Sequence, residues 1–181
     1  YQQLESDNTR AKSVLFDATL NFYTISDDII ADTQLKELLQ KDYASAKDVR
    51  AACDCYNRLS FTLANNASIS SICVYTESPQ FPTSGYIQRA STEQVQTWFE
   101  QVKVPGSVYW KSSFTDRVGS DSPELTLVRS FPFISAQRPA ILVIRMSNNY
   151  LKNRIQRRTS LLEMQDLDFI QRTTFMTRMG M

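Results

Sequence analysis

A chain of 181 residues with a formal net charge of +1 has room for one domain around one hydrophobic core, and it carries no electrostatic footprint for nucleic acid or an acidic membrane. Its 42% hydrophobic and 22% charged residues exclude a disordered or fibrous chain. The absence of histidine removes His-based triads, His-ligated zinc and the ordinary general base near neutral pH.

The first 30 residues carry a heptad-like stripe: Leu4, Ala11, Ala18 and Ile25 are seven apart, and Leu15, Phe22 and Ile29 form a second seam. One long helix is predicted, and at 1.5 Å per residue it would measure ~45 Å. Part of it is expected to project from a compact body. The stripe is already running at Leu4 without an N-cap, so the helix is expected to enter from upstream.

Asp32 caps a short helix with Leu35, Leu38 and Leu39 on one face, and Ser45 with Asp48 forms a capping box for a third. In that third helix Val49, Ala52, Cys53, Tyr56, Leu59, Ser60 and Leu63 keep helical spacing as one element. Cys53 and Cys55 point to different faces, and the three cysteines are an odd count without further metal ligands nearby. They are expected to be small buried apolar residues and not a disulfide framework or a metal site.

The pattern then changes to period two. ISSICVYT (69–76) and YIQRA (86–90) are predicted to pair as a hairpin around the turn SPQFPTSG. Ser91 with Gln94 opens a helix over TEQVQTWFEQV that ends near Pro105 and Gly106. VYWKS, ELTLVRSFPFI and PAILVIRMS follow as three strands, and Asn148 caps a last helix, NYLKNRIQRR, whose basic cluster suits a solvated face. The order predicts an α+β fold with an antiparallel sheet and helices gathered on one side. Residues 159–181 fit a helix or a strand pair. No apolar run approaches the ~20 residues that span a bilayer.

Strand alternation puts Leu125, Leu127, Arg129 and Phe131 on one face, so Arg129 is a cation among apolar neighbours. It needs Asp116 or Asp121, a ligand's anionic group, or a route to water. Trp98 and Phe99 are adjacent on a helix, and Tyr109 and Trp110 are adjacent on a strand, so within each pair the rings point apart. No nucleophile motif, Gly-rich phosphate loop or paired-carboxylate spacing supports catalysis, and no cofactor is expected.

The long first helix, ISSICVYTES, the helix containing QTWFEQV, VYWKSSFTD, LTLVRSFPF and PAILVIRMSNNYL, in that order over residues 1–155, resemble the extracellular Cache (PAS-like) sensor domain of Gram-positive bacterial sensor histidine kinases. The resemblance implies a five-stranded antiparallel sheet flanked by the long helix, with a ligand pocket between sheet and middle helix. It implies residues 1–40 as long and short helices, 41–155 as the sensor core, and 156–181 as a linker or the start of a second module. It further implies flanking transmembrane segments in the full protein, a two-component kinase downstream, and this domain outside the cell.

Amino-acid-binding members have an Arg two residues before a Trp-Tyr pair, followed by an Ala. Here Trp98 matches, while Gln96 replaces the Arg, Phe99 the Tyr and Val102 the Ala, so the carboxylate clamp is missing from its usual place. Trp98, Tyr109, Trp110, Phe114, Asp116 and Arg129 are the candidate ligand-binding residues. A small molecule is the expected partner, and a homodimer through the first helix is the alternative role.

Overall fold

The computed structural model describes residues 2–102, 104–114, 123–132, 138–154 and 156. By contact the chain divides into residues 1–19 with 149–181, and residues 20–148; the sheet and the sites below belong to the second group.

Helix α1 (Gln2–Ile30) is one 29-residue element. Its buried stripe is Val14, Ala18, Phe22, Ser26 and Ile29, whereas Leu15, expected in the seam, is 40% exposed. Phe22 and Ile29 of that seam are buried, and toward the N-terminus the buried positions step back by four to Ala18 and Val14, which leaves Leu15 off the buried side.

Asp32 caps α2 (Thr33–Gln40) as expected, accepting from the N–H groups of Gln34 and Leu35. Its other oxygen accepts from the Tyr56 hydroxyl at 2.7 Å and the Arg58 guanidinium at 2.9 Å. That contact explains a departure from the predicted single third helix. The chain forms α3 (Ala46–Cys55) and α4 (Arg58–Asn65), broken where Tyr56 turns extended and lays its buried ring toward Asp32. The cysteines also differ from expectation: Cys55 is exposed and Cys53 is half-buried.

Strands β1 (Ile69–Thr76), β2 (Ile87–Arg89), β3 (Val108–Phe114), β4 (Pro123–Ser130) and β5 (Ala140–Met146) form one sheet in the order β2-β1-β5-β4-β3. Helix α5 (Glu93–Gln101) lies between β2 and β3 in the chain. Its cap is Thr92, one residue later than predicted. Residues 148–154 are helical, with exposed Arg154 stacked over the Tyr150 ring.

The fold is α+β with a long N-terminal helix, but the sheet is mixed and not fully antiparallel. β1 and β2 run parallel, Val74 opposite Ile87, whereas the remaining pairs are antiparallel. A parallel partner requires the chain to travel back along the strand before pairing. With β2 only three residues long that return is ~10 Å, short enough for residues 77–86, and Gly85 takes the positive φ of 108° that the bend uses.

The two faces of the sheet differ. Ile72, Val74, Ile87, Leu127, Leu142 and Ile144 share one face by register, and all are buried at 3% exposure or less. Tyr75, Ile141, Val143 and Val128 share the other, where Val95, Trp98 and Val102 cover them from α5 and its C-cap.

Candidate functional site

Helix α5 presents Val95, Trp98 and Val102 at i, i+3 and i+7, a single stripe. Against Ile141, Val143 and Val128 they make a compact apolar cluster, with Tyr75, Phe99 and Tyr109 packed at its margin. The Tyr75 ring meets Trp98 edge-on at 6.2 Å, and the Arg145 guanidinium lies 5.9 Å from the Trp98 ring centre. Trp98 is 2% exposed, and its indole N–H has no acceptor among the described residues.

An N–H removed from water without a partner forfeits its hydration, so this position stores an unmet hydrogen bond. Burial pushes the Tyr75 phenol up to about 12, helped by the neighbouring Cys73 and opposed by Arg145. Burial likewise raises the Cys73 thiol, while Gln88, Tyr75 and Arg145 pull it back. Both groups are therefore neutral near pH 7.

The opposite face places other predicted residues. Trp110 donates its indole N–H to the Tyr23 hydroxyl at 2.9 Å, and its ring packs on Tyr23 and Phe22 at 5.9 and 6.0 Å. Arg129 donates to the Ser26 hydroxyl at 2.7 Å and forms an ion pair with Asp27. A carboxylate of α1 thus pairs with Arg129; of the partners weighed from the sequence, Asp116 and Asp121 lie outside the described residues. The Arg129 Nε remains buried without an acceptor among the described residues.

Of the six candidate residues, Trp98 and Tyr109 belong to the α5 face, and Trp110 and Arg129 belong to the α1 face. Adjacent residues on a strand point to opposite sides, which separates Tyr109 from Trp110 as the alternation demands. Phe114 pairs in backbone register with Pro123 at the end of β3, and its side chain lies outside the described residues, as does Asp116.

Two features escaped the sequence. Arg145 sits in an apolar strand, the same signal that singled out Arg129, yet nothing local showed that it would meet Trp98. A cavity of about 500 Å³ lies elsewhere, between the α3–α4 break and residues 82–87, with Arg50, Asp54, Asn57 and Tyr86 among its lining. The segment SPQFPTSG, read as a plain turn, is one of its walls. Cys53 also faces it, with its thiol pushed up to about 11 by burial and then by Asp54.

Among the described residues no group of three His, Cys, Asp or Glu side chains is placed to hold a metal ion, and no helix is long and apolar enough to cross a membrane. No known family model matches the chain, and no curated protein matches it.

Proposed function

We propose that this is the extracellular ligand-sensing domain of a membrane-bound sensor histidine kinase, of the Cache (PAS-like) kind. It takes a small molecule on the α5 face and passes the event to α1. The observation that carries this function is the alternation within the β3–β4 pair. Tyr109 and Val128 face α5, while Trp110 and Arg129, each next to one of them in the chain, are bonded to Tyr23, Ser26 and Asp27 of α1.

A ligand that shifts this pair of strands from one side therefore changes what α1 feels on the other. The shift is limited to the ligand's preference for one of the two arrangements. Trp98, Tyr109, Phe114 and Asp116 are assigned to ligand contact, and Trp110 and Arg129 to transmission. In the full protein α1 would continue from one transmembrane segment, and a second would lead to the kinase.

The test is thermal shift against a panel of sugars, amines, amino acids and organic acids. A ligand that stabilises the domain is expected to lose its effect in Tyr109→Ala. In Arg129→Ala it is expected still to bind, with its effect on kinase output reduced in the full protein. A panel with no stabilising compound removes the sensor function.

A second role, a ligand-free dimerisation module, is favoured by one observation. α1 exposes Phe16 (63%), Leu20 (51%) and Tyr23 (37%) at i, i+4 and i+7. Sedimentation equilibrium separates the two: a dimer dispersed by Leu20→Glu, with no ligand found, supports assembly.

A further inference from the structure

The register of the sheet brings four polar residues into one row across four strands on the α5 face. Ser71 of β1 stands opposite Arg145 of β5, Arg145 opposite Thr126 of β4, and Thr126 opposite Lys111 of β3. Residues directly opposite in a ladder share a face. The face is that of Cys73, Tyr75, Val128 and Tyr109, two residues along each strand. Arg145 and Lys111 are two inter-strand steps apart, about 9.6 Å.

Both cations are half-buried, and neither forms an ion pair among the described residues. Arg145 lies by the Trp98 ring and acts on the Cys73 thiol and the Tyr75 phenol, none of which carries a negative charge at neutral pH. The nearest register step along β4 brings Glu124, opposite Ser113. Two half-buried cations in one row, with no carboxylate placed against them among the described residues, repel each other and call for an anion. The buried Trp98 N–H beside Arg145 is a second, independent sign of a missing acceptor.

We infer that the ligand of the α5 face is a small oxyanion, a carboxylate or a phosphate, held between Arg145 and Lys111. Ser71 and Thr126 supply hydroxyl groups to the same row, and the Trp98 N–H becomes satisfied when an oxygen of the ligand reaches it. A planar guanidinium offers a carboxylate or phosphate two parallel donors, and Lys111 adds a point charge at the far end. The ligand is thereby distinguished from neutral sugars and amines. It also differs from the amino-acid clamp whose Arg is replaced here by Gln96, because the cations come from the strands and not from the helix. This inference rests on the sensor function proposed above.

The experiment is isothermal titration calorimetry on the purified domain at constant ionic strength. The probes are acetate, succinate, citrate and inorganic phosphate, with acetamide, succinamide and glycerol as neutral controls. At least one acid is expected to bind while its neutral counterpart does not. Arg145→Gln is expected to weaken that binding by about a hundredfold and Lys111→Gln by about tenfold, while Arg145→Lys restores part of it.

Carboxylates binding without phosphate, or the reverse, identifies the source of the anion. If none of these acids binds while a sugar or amine from the wider panel does, the oxyanion inference is overturned and the sensor survives. The same holds if an acid binds equally well to Arg145→Gln and Lys111→Gln variants that melt normally. If no compound of any charge binds, both are overturned together.

Discussion

The α1 face and the α5 face of the sheet use similar residues to different ends. Toward α1, the indole of Trp110 finds the Tyr23 hydroxyl, and the guanidinium of Arg129 finds Ser26 and Asp27, leaving only its Nε without an acceptor. Toward α5, the indole of Trp98 finds nothing, and Arg145 and Lys111 have no carboxylate among the described residues. Both faces bury apolar rows tightly, so packing alone does not separate them. Among the described residues the polar chemistry of one face is completed from α1, and that of the other is left incomplete. Paired polar groups hold a structure together, whereas unpaired buried ones mark a position where stability has been given up.

That contrast predicts a graded set of effects in urea unfolding. Phe22→Ala, which removes a fully buried ring of α1, is expected to cost about 3–5 kcal/mol. A loss below about 1 kcal/mol would mean that α1 does not anchor the buried face.

Asp32→Ala is expected to cost about 2–3 kcal/mol, since it removes the α2 cap and strands the buried Tyr56 hydroxyl. The same residue shapes the acid limb. Burial by itself would raise the Asp32 carboxyl, but hydrogen bonds from Tyr56, the Leu35 N–H and Arg58 outweigh it and leave the group below its usual 3.8. A depressed folded value means that the stabilisation is complete above pH 3.8 and disappears as pH falls through the lower folded value. Asp32→Asn should therefore flatten the acid limb of the stability curve, and an unchanged limb would assign it to other carboxylates.

Arg129→Ala is expected to cost about 1–2 kcal/mol, because it loses a charged hydrogen bond to Ser26, while the exposed Asp27 adds little. A double-mutant cycle with Ser26→Ala should return most of that energy as coupling. Trp110→Phe keeps the ring contacts and loses the bond to Tyr23, for about 0.5–1 kcal/mol.

Trp98→Phe is expected to fall within about 0.5 kcal/mol of zero, since the lost ring area is offset by removal of a donor that has no partner. This smallest effect is the sharpest check on the contrast. A cost above about 2 kcal/mol would show that the Trp98 N–H is satisfied after all, and the two faces would then differ in name only.

Much of the fold was legible because its signals are local. Asp32 announces α2, the heptad-like stripe from Leu4 to Ile29 announces α1 although not its exact buried side, and ISSICVYT announces β1 to the residue. The break at Tyr56 was not legible, because helical spacing runs straight through it and the cause is Asp32, 24 residues earlier. The direction of β2 was hidden for a related reason. A short strand after a turn-rich segment fits a hairpin as well as a brief crossover, and only the pairing of Val74 with Ile87 distinguishes them.

The candidate site divides in the same way. Alternation within the sequence was enough to separate Tyr109 from Trp110, and to mark Arg129 as a cation needing a partner. The identity of that partner, on a helix about a hundred residues away, was decided by the tertiary structure, as was the row from Ser71 through Arg145 and Thr126 to Lys111. Periodicity and caps are written in neighbouring residues, because backbone geometry repeats over a few positions. Which strands lie side by side, and in what register, depends on how distant segments bury their apolar faces together, and no single segment contains that information.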